Sequence, residues 1–181
     1  AFHRSSFYIK YIYGFSSGKF SYMATVQRAS TTSDKYISKL VRVCHSDDKF
    51  YSYMEVELVC ESASAKYNLL QAAYVAKPGK QLAEALRVTT SDDVLFATFS
   101  IGKPGTTDAL NDTAVCYYPI KNIAEGFSKN IKKCFEGYGN TGPDHIVERK
   151  PCFKSEAMLK EITLDYCGKW GEVNQPIDGL E

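Results

Sequence analysis

Residues 41–60 read VRVCHSDDKFYSYMEVELVC, and from residue 67 the chain continues YNLLQAAYVAKPG. Two apolar runs, each ending in a cysteine, enclose a charged turn. A third run is stopped by Pro78-Gly79. Such punctuation predicts antiparallel strands. In the second run Ser52, Met54, Val56, Leu58 and Cys60 share one face, while Tyr53, Glu55 and Glu57 share the other, the pattern of a half-buried strand. The two cysteines place thiols at one corner of the sheet.

The same period-two pattern extends through most of the chain. Phe7 to Tyr13 reads as a strand with Phe7, Ile9, Tyr11 and Tyr13 on one face, and FSSGKFSY follows as a turn around Gly18. Phe20, Tyr22, Ala24 and Val26 alternate with Ser21, Met23 and Thr25. Further strands are expected at Tyr36 to Cys44, Asn68 to Val75, Val94 to Ile101 and, briefly, Thr113 to Tyr118. Thirteen tyrosines and ten phenylalanines fit a strand-rich chain. PGKQLAEALRV carries a short stripe of Leu82, Ala83 and Leu86, about two helical turns. After Pro119, Ile120, Ile123, Phe127, Ile131 and Cys134 recur at three- and four-residue steps. That spacing predicts a longer helix with proline in its first turn, weakened by Gly126. Residues 137–151 read as loop, Ser155 as the cap of a last short helix through Leu159, and the tail as irregular.

The 181 residues suffice for one core, and a net charge of +1 implies no nucleic acid or other polyanion partner. No apolar run is long enough to span a bilayer. The start, AFHRSSFYIKYIYG, has no signal-peptide zones, so a secreted chain would carry its targeting segment elsewhere. The six cysteines, at 44, 60, 116, 134, 152 and 167, form no CxxC pair. A zinc site therefore has no spacing to support it, and even number and wide spacing favour disulfides in an oxidising compartment over free core thiols. Asn111-Asp112-Thr113 is a glycosylation sequon in a polar loop.

No constellation of catalytic residues stands out. Cys44 and His45 are adjacent on a strand and point to opposite faces, which disfavours a thiol nucleophile. Asp47-Asp48 and Asp92-Asp93 suit turns. His3 and His145 have no neighbour at metal-ligand spacing, and GKPG at 102–105 has no helix after it to cradle a phosphate. No cofactor is expected. A surface for another protein remains.

The pieces SSGKFSYMATVQ, YISKLVRVC, DDKFYSYMEVELVC, YNLLQAAYVAKPGKQLAEAL, DDVLFATFS, TAVCYYPIKNI and DYCG with NQP resemble the sema domain of plexins, nearly end to end. NLLQAAYVAKPGKQLA and TVQR are similar also to the sema domain of the hepatocyte growth factor receptor family. Those receptors have a longer, basic processing segment where this chain has the short CESASAKY, and DYCG with NQP favours plexin.

The resemblance implies an all-β fold with a helical insertion, a fragment of about two to three blades of a seven-bladed sema β-propeller. Residues 1–181 would be a partial sema domain, with residues 119–167 as the helical extrusion inserted in it. It implies disulfides Cys44–Cys167, Cys60–Cys116 and Cys134–Cys152. It also implies an extracellular, non-enzymatic segment of a single-pass plasma-membrane receptor whose ligand is a semaphorin. The segment's partners would be the rest of the ectodomain and a possible second receptor copy, without direct membrane contact. Phe153, Lys154 and Ser155, in the extrusion, are the expected ligand contacts. The alternatives are a growth factor receptor ectodomain and, remotely, a thiol hydrolase.

Overall fold

A computed structural model describes residues 7–48, 52–138, 154–163 and 167. Strands β1 (Ile9–Ser17), β2 (Phe20–Arg28), β3 (Tyr36–Cys44) and β4 (Met54–Glu57) form an antiparallel meander in that order. The β1–β2 turn is tighter than the sequence suggests. Ser17 pairs directly with Phe20, and Gly18 at φ 58° supplies the left-handed backbone that such a turn needs. A register shift between Tyr11 and Tyr13 also breaks the alternation expected of β1. Tyr11 is left 55% exposed, while Ile12, Tyr13 and Phe15 turn to the core. A bulge does this because one extra residue reverses the facing of those beyond it.

The run expected as one strand through Cys60 is split into β4 and the two-residue β5 (Cys60–Glu61), which pairs with β6 (Lys66–Tyr67). A second meander follows, β7 (Leu69–Ala76), β8 (Val94–Gly102) and β9 (Ala109–Pro119). Helix α1 (Lys80–Leu86) connects β7 to β8 and ends on Arg87 in the left-handed region, φ 56°. Helix α2 (Ile120–Phe135) starts directly after β9, with Pro119 at its N-cap rather than in its first turn. Helix α3 is Glu156–Glu161.

One face of the first sheet, with Phe20, Tyr22, Ala24, Val26, Leu40 and Met54, packs into a single core cluster. The second sheet adds Leu69, Leu70, Leu95, Ala97 and Phe99 to it, and α2 adds Ile120, Phe127, Ile131 and Phe135. Polar side chains stitch the two sheets together. Asn68 donates from Nδ2 to the Tyr36 carbonyl (2.9 Å) and accepts at Oδ1 from the Gly102 N–H (2.9 Å). Glycine at 102 leaves room for this packing, since a Cβ there would stand 2.7 Å from Leu69 Cδ1 and the Leu69 side chain would have to shift.

Much of the other face of the first sheet is buried too, so of the outer residues expected of β4 Glu57 is exposed while Tyr53 and Glu55 are not. Tyr53 and Glu55 are 8% and 5% exposed. The Glu55 carboxylate accepts from Gln27 Nε2 (3.0 Å), Lys39 Nζ (2.8 Å) and the Tyr53 hydroxyl (2.8 Å). Those bonds make burial of a charged residue tolerable.

Candidate functional site

The helical excursion and its attachments are the part of the chain that the β meanders do not explain. Its entry is α2, whose sequence period of three to four puts Phe127 and Ile131 inward, at 0% and 2% exposure. Phe127 meets Tyr22 with ring centroids 6.3 Å apart. The Arg42 guanidinium lies over two rings, 4.1 Å from the centre of Phe20 and 4.5 Å from that of Phe127, so a cation buried on β3 is held by two aromatic faces. Gly126 approaches Val56 of β4 (Cγ1 at 4.0 Å from the position of an added Cβ), in line with a helix held by tertiary packing.

The far end of the excursion returns to α2. Ser155 N–H donates to the Phe135 carbonyl (2.8 Å), Lys154 forms an antiparallel bridge with Glu136, and Ser128 Oγ donates to the Thr163 carbonyl (2.9 Å). Ile162 is buried in the core cluster. Cys167 is then bonded to Cys44 at the end of β3, with Cα atoms 5.7 Å apart. Cys60 on β5 is bonded to Cys116 on β9, and the Tyr118 hydroxyl donates to the Val59 carbonyl beside it (2.9 Å). Burial pushes the Tyr118 hydroxyl pKa well above its ordinary value. Cys134 is disulfide-bonded, and Cys152 lies outside the described residues. Both bonds between described cysteines join pairs that the resemblance implies.

With Cys44 in a disulfide, its sulfur offers no thiolate for a nucleophilic pair with the exposed His45, which removes the thiol hydrolase alternative at that residue. Asp47 is buried and structural. It accepts from Ser52 N–H (2.6 Å) and Ser52 Oγ (2.7 Å), and Ser52 Oγ accepts from Cys44 N–H (2.9 Å). Asp93 joins the β1–β2 turn to the α1–β8 loop, accepting from Ser17 Oγ (2.5 Å) and Lys77 Nζ (2.7 Å). Burial alone would raise its pKa. Hydrogen bonds from Lys77 and Ser17, with the Lys77 charge, outweigh burial and hold the carboxyl below its usual range. Asp92 is likewise lowered, chiefly by the Thr89 N–H. Among the described residues no group of three His, Cys, Asp or Glu could hold a metal ion, and no helix is long and apolar enough to cross a membrane.

Of the expected contact residues, Lys154 is exposed and Ser155 half-buried, while Phe153 lies outside the described residues. Beside Lys154, the outer side of α2 presents Glu125, Lys129, Lys132, Lys133 and Glu136 along a shallow groove. Sequence reasoning passed over this face because charges on the outside of a helix look like solvation. Its signal was the 3.6-residue period, which fixes the outer residues once the inner ones are named. Asn111 stands on β9, not in the loop expected, since β9 begins four residues earlier than its apolar pattern.

Residues 70–169 match the family model described as "Sema domain". Human plexin-A2 is 38% identical over 97% of this chain, human plexin-A4 38% over 94%, and zebrafish plexin A3 36% over 97%. The chain spans about a tenth of the length of these curated relatives. A solved structure of the plexin A4 full extracellular region superposes on 90% of this chain and 18% of its own, with TM-score 0.77 and 37% identity. The sheets described above accordingly match a fragment of a sema β-propeller, one four-stranded unit and one of three strands followed by the helical insertion.

Proposed function

The chain belongs to the sema domain family, and on that premise we propose that it is an extracellular, ligand-binding segment of a plexin-type receptor. The observation that carries this reading is 38% identity to plexin-A2 over 97% of the chain. The chain acts as a recognition surface and performs no chemistry. Its ligand is a semaphorin, its immediate partners are the remaining parts of the receptor ectodomain and a second receptor copy, and the receptor crosses the plasma membrane once.

Residues 119–167 are the extrusion, tied at both ends to the meanders by Cys44–Cys167 and by the packing of α2. The third disulfide is Cys134–Cys152. Ligand contact falls on Phe153, Lys154 and Ser155 with the neighbouring outer side of α2. Two observations support this choice. Lys154 is exposed, and among the described residues its side chain makes a surface pair with Glu156 (3.4 Å), an interaction of little intrinsic strength. The backbone beneath it is fixed to α2 by the Ser155–Phe135 hydrogen bond, which reduces the ordering cost of binding.

Biolayer interferometry with the whole receptor ectodomain against a panel of semaphorin ectodomains tests the reading. Saturable binding to at least one member is expected, with a loss of about tenfold in affinity (~1.4 kcal/mol) on Lys154→Glu. Failure of a well-folded ectodomain to bind any member would sink the ligand assignment. Unchanged affinity in Lys154→Glu would move the contact elsewhere.

A further inference from the structure

We propose that Asn111 carries an N-linked oligosaccharide, and that the β8–β9 hairpin end of the second sheet is therefore a solvent-facing rim of the assembled receptor. Of the six asparagines in the chain, at 68, 111, 122, 130, 140 and 174, only Asn111 is followed two residues later by Ser or Thr, with Asp112 between them.

The sequon alone is a weak signal, and the structure adds three observations. The first is exposure: every residue from Ala109 to Thr113 is exposed, at the start of β9, which is the outer strand of its sheet among the described residues. The second is register. Ser100 pairs with Thr113 and Gly102 with Ala109, so three residues centred on Asn111 face the single Ile101 and bulge from the ladder. The third is the contrast with Asn68, whose amide is engaged on both sides by Tyr36 and Gly102. Among the described residues neither the Asn111 amide nor the Thr113 hydroxyl has a hydrogen-bond partner, so an N-linked chain on Nδ2 breaks no hydrogen bond there.

The compartment fits as well. The Cys44–Cys167 and Cys60–Cys116 bonds belong to an oxidising lumen, where the transferase acts. The donor is a lipid-pyrophosphate-linked oligosaccharide. Asn111 Nδ2 forms a bond to the anomeric carbon of its first sugar as that carbon's bond to the pyrophosphate oxygen breaks. The amide loses one proton, and the lipid pyrophosphate leaves. No oxidant or reductant is consumed. A glycan is bulky and hydrated, so the surface that bears it stays in water. That places the 103–113 end of the second sheet outside every protein contact of the receptor.

The inference rests on the extracellular reading, and the experiment separates the two. The receptor ectodomain is expressed in mammalian cells, digested, and deglycosylated by peptide N-glycosidase in heavy-oxygen water. Conversion of Asn111 to heavy-labelled aspartate is expected, abolished by Asn111→Gln and by Thr113→Ala and retained in Thr113→Ser. An ectodomain that is secreted with its disulfides formed, yet unmodified at Asn111, overturns the glycan and leaves the receptor reading intact. A chain that never enters the secretory pathway overturns both. For the rim, Asn111→Gln is expected to change semaphorin affinity less than twofold, and a change of fivefold or more overturns it.

Discussion

Ser38 of β3 and Asn68, the residue before β7, close one hydrogen-bonded ring between the two sheets. Ser38 Oγ donates to the Asn68 carbonyl (2.8 Å) and accepts from the Leu70 N–H (2.8 Å), while Ser38 itself is 1% exposed. One hydroxyl thus satisfies two backbone groups of a different sheet. Ser38→Ala leaves the buried Leu70 N–H and the part-buried Asn68 carbonyl without that partner, at a cost of about 1–3 kcal/mol. That lowers the midpoint of thermal unfolding of the domain that holds the two sheets. Differential scanning calorimetry of the ectodomain checks it, and Ser38→Thr, which keeps the hydroxyl, should lose less.

Phe127 has the same role for α2. It is fully buried, faces Tyr22 and, like Phe20, lies against the Arg42 guanidinium. Phe127→Ala opens a cavity and uncovers a buried cation, so a loss of about 3–5 kcal/mol is expected. Phe127→Leu fills much of the volume but removes the ring face, so it should lose about 1–2 kcal/mol, the size of a desolvated cation–π contact. The ordering of wild type, Leu and Ala in secretion yield and urea midpoint is the readout. Equal values for Leu and Ala would show that the ring face, and not the volume, carries the stability.

The strands were legible wherever a single alternation ran unbroken. Tyr36 to Cys44 was bounded correctly because Val41 and Val43 face one way and Leu40 and Cys44 the other, with no residue out of step. The sequence was silent where one residue shifts the register, as at Tyr11, because a bulge is set by the partner strand and not by the strand's own pattern. Glu55 misled for a different reason. Its charge signals solvent, and only the positions of Gln27, Lys39 and Tyr53, 28, 16 and 2 residues away, show that it is paired in the interior. The inner face of α2 was readable from Ile120, Phe127 and Ile131. The outer charged side follows from the same period, but exposed charges by themselves do not mark a surface as anything but solvated.

Asp93 gives a pH signature. Its carboxyl pKa lies below the ordinary value in the folded chain. Its contribution is therefore complete above the unfolded carboxylate range, and it is lost as pH falls through the lower, folded value, in the window below about pH 4. Asp93→Asn weakens the Lys77 and Ser17 contacts, so at pH 7 it should be less stable than wild type by about 1–2 kcal/mol. Urea unfolding of both proteins at pH 7 and pH 3 should show that gap shrinking in acid. A gap that persists at pH 3 would mean that the side chain stabilises by packing and not by charge.

Cys44–Cys167 and Cys60–Cys116 differ in what they restrain. The first closes a separation of 123 residues and the second one of 56, so on the chain-entropy model they contribute about 5 and about 4 kcal/mol, nearly the same. Their places in the fold separate them. Cys60–Cys116 joins β5 to β9, elements already adjacent through the Tyr118–Val59 hydrogen bond. Cys44–Cys167 is the covalent return of the excursion, which is otherwise held by the Ser128–Thr163 and Ser155–Phe135 hydrogen bonds and the burial of Ile162. Removing each pair as a double alanine variant should therefore have different local effects at similar cost. Cys44→Ala with Cys167→Ala should admit protease cleavage around α3 while β7 to β9 stay protected from hydrogen exchange. Cys60→Ala with Cys116→Ala should raise exchange in β9 and leave α3 resistant. Semaphorin binding, if it uses the excursion, should fall in the first variant by more than in the second, because only the first frees the backbone that presents Lys154.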